Sequence, residues 1–146
     1  MTYRYRLAFE PDDNGTVLVT SPDFPPLVTY GDDEADAKRH AVDALTLLIS
    51  SMIDAEQPVP PPCDVGHGDL IALPLLASLK IELHQAMLTA GLDRAELQRR
   101  LGWRKEAIDR IFRLSHESRL ADIEAAFKSI GREIDFAARS EPAAVV

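Results

Sequence analysis

The chain holds a single cysteine, Cys63, so no internal disulfide can form and the core alone must hold the fold. This fits a reducing compartment, and a cytoplasmic location is expected. Long apolar runs are also missing. The greasiest stretch, LIALPLLASL at 70–79, is far too short for a bilayer span and contains Pro74, and MTYRYRLAFEPDD at the start has no apolar leader core. No membrane partner is therefore expected. The four histidines, His40, His67, His84 and His116, show no zinc-ligand spacing with one another or with Cys63, so no metal or other cofactor is expected. Cys63 sits beside prolines with no basic neighbour to activate it.

What is present supports a folded protein with unlike halves. Apolar residues make up 46% and charged residues 27% of 146 residues, and a chain of this length hides roughly 68–70% of its unfolded surface. The net charge is −8, yet residues 1–75 set four basic residues against thirteen acids, while 76–146 set twelve against eleven. Between 91 and 119 eight basic residues face five acids, and six of the eight fall in RRLGWRKEAIDRIFR at 99–113. Such an asymmetry points either to two surfaces meeting partners of opposite sign or to charge that only keeps the fold soluble.

The order of elements follows from periodicity. Tyr3, Tyr5, Leu7 and Phe9 alternate with Arg4, Arg6 and Ala8 in a strand pattern, Asn14-Gly15 suits a tight hairpin, and TVLVT at 16–20 returns. After the prolines of SPDFPP, LVTY at 27–30 gives a third strand. From Asp32 or Asp33 as N-cap, Val42, Leu45, Ile49, Met52 and Ile53 mark a helix that must stop before PVPPP at 58–62. LIAL at 70–73 reads as a fourth strand. Helical spacing resumes with Leu76, Leu79, Leu83 and Met87, closing at Gly91. Asp93 with Glu96 opens a short helix to Leu101, residues 104–114 form another, and Ser118 is placed to cap the next, which contains Leu120, Ile123, Phe127 and Ile130. REIDFAARS at 132–140 is expected to add a short strand. The fold class is α+β: a β-β-β-α-β unit over 1–73, an all-α unit over 74–137 and a tail over 138–146.

Two short helices joined at Gly102 match a helix-turn-helix, whose second helix enters the major groove. Leu97, Leu101, Trp103, Ile108 and Ile111 supply the apolar inward positions, with Trp103 read as a core wedge. Arg104, Lys105, Asp109 and Arg110 then face outward as candidate DNA-binding residues, and Arg94 opens the supporting helix where a phosphate contact belongs. The alternative is an ordinary helical hairpin, with Lys105 and Asp109 as an i,i+4 surface pair.

PDFPPLVTYGDDEADA at 22–37 and LPLLASLKIELHQAMLTAGLDRAELQRRLGWRKEAIDRIF at 73–112, in this order, with HES at 116–118, make the chain resemble the HicB family of antitoxins from about Tyr3 to Ala137. Pro26 and Leu27 stand where the family pattern has Gly and Cys, whereas Gln98 stands where helix-turn-helix motifs usually have Ala and Arg94 where they usually have Gln. The resemblance implies that the N-terminal unit is a degenerate ribonuclease H-like fold covering a small basic HicA-type mRNA interferase toxin. It implies that the C-terminal unit dimerises, or forms a higher oligomer, and binds operator DNA as a repressor of its own operon. Asp23, Phe24 and Tyr30 are the candidate toxin-binding residues.

An actual ribonuclease H-like nuclease would need clustered carboxylates for Mg²⁺, with Asp12, Asp13, Asp23, Asp32 and Asp33 as candidates. Asp12 and Asp13 instead suit a turn, and Asp32 and Asp33 a helix N-terminus, so no catalysis is expected. A regulator sensing a small molecule is the third reading.

Overall fold

The computed structural model describes residues 2–62 and 68–140, so Cys63 and His67, read above as unactivated and non-ligating, lie outside the described residues. The elements run β1 (Arg4–Pro11), β2 (Val17–Thr20), β3 (Val28–Gly31), α1 (Glu34–Asp54), β4 (Asp69–Ala72), α2 (Leu75–Ala90), α3 (Arg94–Leu101), α4 (Lys105–Phe112) and α5 (Leu120–Ser129). This is a mixed α/β fold, and its elements as far as α5 follow the order that periodicity predicts.

The strands form one antiparallel sheet in the order β3-β2-β1-β4. Tyr5, Leu7 and Val19 point inward and are fully buried, while α1 covers that face with Ala37, Ala41, Leu45, Ile49 and Ile53, each four residues after the last. Burying each Leu or Ile contributes about 1.5–3 kcal/mol. Gly31 closes β3 where it meets α1: a Cβ there would lie 2.2 Å from the backbone nitrogen of Ala37. Only glycine allows this approach.

Helix α2 is buried on nearly every side, including Ala77, Ser78, Lys80, Ile81, Leu83, His84, Ala86 and Met87. One side meets the sheet unit. The Tyr3 amide donates to Ser78 Oγ (2.9 Å) and its hydroxyl to Glu82 (2.7 Å), and Gln85 bonds both the amide (3.0 Å) and the carbonyl (2.6 Å) of Val59. His84 Nε2 reaches the Gln57 carbonyl at 2.7 Å. The other side packs on α4 and α5. A single cluster of buried side chains consequently runs from Tyr3 to Phe127, drawing on both segments.

Three local expectations change. Ser118 does not cap α5; Arg119 holds that position, and Ser118 Oγ instead contacts His116 Nδ1 at 3.1 Å. Residues 132–140 form no strand, because no neighbouring strand reaches them among the described residues. Phe24 is 1% exposed, its ring meeting that of Tyr5 edge-on at 4.9 Å, so its side chain belongs to the core.

Candidate binding surfaces

The hairpin of α3 and α4 is built by local chemistry. Asp93 accepts the Glu96 amide at 2.8 Å and starts α3, and Gly102 ends it in the left-handed region at φ 69°. Arg104 caps α4 without a side-chain bond. Leu97, Ile108, Ile111 and Phe112 are buried, and Leu101 and Trp103 pack half-buried against them. Trp103 is thus a wedge at the turn, as its position predicts.

The basic residues divide into two sets. Arg94, expected at a phosphate, is occupied internally: its guanidinium pairs with Asp109 at 3.1 Å and Asp54 at 3.5 Å and lies 4.7 Å from the Phe112 ring centre. Asp109 therefore pairs with Arg94 rather than with Lys105. Arg99 and Arg100 both grip Glu96, at 2.9 and 3.0 Å, and hold its carboxyl down to about 2. Arg100 also bonds the Ser129 carbonyl at 3.0 Å.

Arg104 and Lys105 are exposed, with no side-chain hydrogen bond or ion pair among the described residues, and they stand together at the start of α4. The exposed Arg110 side chain bonds only the Glu106 carbonyl, at 3.2 Å, among the described residues. A cleft of about 400 Å³ beside α4 brings Arg104 and Arg110 to Arg119 at the start of α5, with Trp103 and Ser118 also in its walls. Sequence reasoning missed Arg119. Its only signal was membership of the basic run, since the fold places it beside α4 through a chain reversal at 113–118.

Lys80 fixes that reversal. The residue is 0% exposed, and its Nζ donates to the carbonyls of Arg110 (3.1 Å), Arg113 (2.7 Å) and His116 (2.7 Å). An ammonium at a helix C-terminus satisfies carbonyls that have no intrahelical partner. Burial, and after it the charge of Arg113, pushes the amine down to about 8.

The acids gather differently. Pro11 pairs with Val17 and Val17 with Gly31, so the hairpin tip with Asp12 and Asp13 shares one end of the sheet with Asp32, Asp33 and Glu34. Each has a local role there or lies exposed. Asp12 accepts the Asp13 amide (2.8 Å), and Asp33 caps α1 through the Asp36 amide (2.8 Å). The Asp32 amide, followed by Arg39 and His40, lowers the Asp36 carboxyl below its usual range. Asp23 is exposed at the opposite end of β2 and β3. Tyr30, 49% exposed, and Val28 project from edge strand β3 on the side away from α1. Among the described residues no three His, Cys, Asp or Glu side chains are grouped to hold a metal ion, and no helix is long and apolar enough to cross a membrane.

These features define a small mixed α/β protein with an acid-rich sheet end and a cationic helix pair. A family model described as the HicB-like antitoxin of bacterial toxin-antitoxin systems matches residues 4–82. Antitoxin HicB 2 of Photorhabdus laumondii is 32% identical over 135 residues, covering 92% of this chain and 96% of that protein. Antitoxin HicB of Escherichia coli K12 is 30% identical over 132 residues, covering 90% and 96%. The chain belongs to the HicB-like antitoxin family.

Proposed function

We propose that the protein is an antitoxin that neutralises a small basic HicA-type mRNA interferase through residues 1–73 and, as a homodimer, represses its own operon through residues 74–137. It does so by binding, without catalysis, in the cytoplasm. The N-terminal unit serves as a degenerate ribonuclease H-like scaffold and α3–α4 as a helix-turn-helix. The observation that carries this reading is the split of charge: carboxylates concentrate at one sheet end, whereas unpaired Arg104 and Lys105 stand at the exposed start of a short, well-buttressed helix.

On this reading α4 enters the major groove, with Arg104 and Lys105 at base edges or phosphates and Arg110 and Arg119 on the backbone. Arg94 and Asp109 brace the two helices against each other. Replacing Arg104 or Lys105 by Ala is expected to cost about 1–3 kcal/mol in operator affinity and, for a lost phosphate contact, to lower the salt slope by about one. Fluorescence anisotropy with the upstream DNA at several salt concentrations measures both. Binding indifferent to both substitutions and to salt overturns the assignment.

The toxin would meet Tyr30 and Val28 beside the acidic end, with Asp23 at the far margin and Phe24 supporting from the core. Long-range charge speeds the encounter, and an aromatic anchor holds it. Tyr30→Ala is expected to weaken toxin binding by about 2 kcal/mol, chiefly through faster dissociation, while leaving operator affinity unchanged. Surface plasmon resonance with the operon's own toxin reads this directly; an unaltered dissociation rate removes β3 from the interface.

A further inference from the structure

The cleft between α4 and α5 collects charges that do not pair with one another. Arg104 and Arg119 make no side-chain hydrogen bond or ion pair among the described residues, and Arg110 bonds only the Glu106 carbonyl. Glu117 and Asp122 line the same cleft, and their carboxylates have no partner among the described residues either. Three guanidiniums and two carboxylates thus share one concavity with their bonding capacity unused. Arg104 and Arg119 are also the N-cap residues of α4 and α5, and neither helix start carries a side-chain cap. Two helix N-termini with unsatisfied amides therefore border the cleft, each favouring an anion. Part of the remaining wall is apolar, made by buried Ile111 and half-buried Trp103.

This mixture selects the ligand. Bare phosphate would leave the carboxylates and the apolar wall unused, and a DNA strand along the arginines leaves the carboxylates without a counterpart. A molecule with one anionic group, several hydroxyl or amino donors and a flat apolar body uses all three. We propose that the cleft binds a free nucleoside monophosphate. Its phosphate meets Arg104, Arg110 and Arg119, whose planar guanidiniums pair with phosphate oxygens two at a time. Its sugar hydroxyls or base amino group donate to Glu117 and Asp122, and its base lies against Trp103 and Ile111. The cleft volume of about 400 Å³ falls within the range of small-molecule sites, roughly 300–1,000 Å³. Because the same three arginines are assigned above to operator DNA, nucleotide and operator compete, which makes the cleft an effector site of the repressor. That consequence rests on the DNA-binding reading, whereas nucleotide binding itself does not.

Trp103 is the chain's only tryptophan, so its fluorescence reports the cleft directly. Titrating the full chain with AMP, GMP, CMP and UMP at physiological salt is expected to change it saturably for at least one of the four, with calorimetry giving the same affinity. Inorganic phosphate and the matching nucleoside should each bind at least about tenfold more weakly, since each lacks part of the contact set. Arg119→Ala should weaken the nucleotide about tenfold, and Glu117→Ala with Asp122→Ala about fivefold, circular dichroism showing both variants folded. The carboxylate variant separates the two sources of phosphate: free nucleotide loses its acceptors and binds less well, while operator DNA, relieved of two negative charges, binds as well as before or better. No saturable binding of any of the four, inorganic phosphate matching the nucleotide, or carboxylate substitutions that leave nucleotide affinity unchanged or raise it overturns the proposal. A chain that binds nucleotide as expected but ignores operator DNA instead overturns only the repressor reading.

Discussion

Replacing Lys80 by Met is expected to destabilise the protein by about 3 kcal/mol, because the carbonyls of Arg110, Arg113 and His116 then lose the donor that a fully buried lysine supplies to all three. Met keeps the apolar stem, so the loss reports the ammonium and not the packing. Urea unfolding measures it, and an unchanged midpoint would mean the three bonds contribute nothing. The same residue sets a pH dependence. Its amine falls from 10.5 to about 8 on folding, so between those values the unfolded chain binds the proton more tightly and stability rises with pH, by at most about 1.4 kcal/mol per unit. Burial holds the phenols of Tyr3 and Tyr5 well above 10, so at higher pH the unfolded chain ionises first and stability falls again. In Lys80→Met the rise should vanish and the fall remain.

Gly31→Ala is the second large effect. The added Cβ would lie 2.2 Å from the Ala37 nitrogen and 2.5 Å from its Cα, and both are backbone atoms of the first turn of α1. No rotamer change relieves such a contact, so β3 or the start of α1 must move, at a cost of about 2–4 kcal/mol. The displaced parts carry Tyr30 and the acids from Asp32 to Asp36. Toxin affinity of the folded fraction should therefore drop while operator affinity holds, since α3 and α4 lie elsewhere. Thermal unfolding together with the two binding assays distinguishes this pattern from general loss of structure. A melting temperature equal to that of the wild type would contradict the close approach itself.

Local chemistry was legible in the chain and distant pairing was not. The alternation of Tyr3, Tyr5 and Leu7, the Asn14-Gly15 turn and the Asp93 and Glu96 cap each act within a few residues, and the structure places each as the spacing predicts. Phe24, flanked by prolines, reads as a surface residue; its burial depends on the Tyr5 ring, nineteen positions away. Arg94 reads as a phosphate ligand because its partners, Asp54 and Asp109, are remote in sequence. Lys80 is harder still. A lysine within LASLKIEL looks like a solvated face until the fold brings three carbonyls from 110–116 over it.

Helix α2 touches the sheet unit on one side and the short helices on the other, and eight of its residues are closed off from solvent. Heritable change is accordingly channelled. If the proposed function holds, lineages that acquire a different toxin or a different operator would alter β3 and α4 one residue at a time, but drift in α2 disturbs both flanks at once, so this helix should stay the slowest-changing part of the molecule as its surfaces diversify.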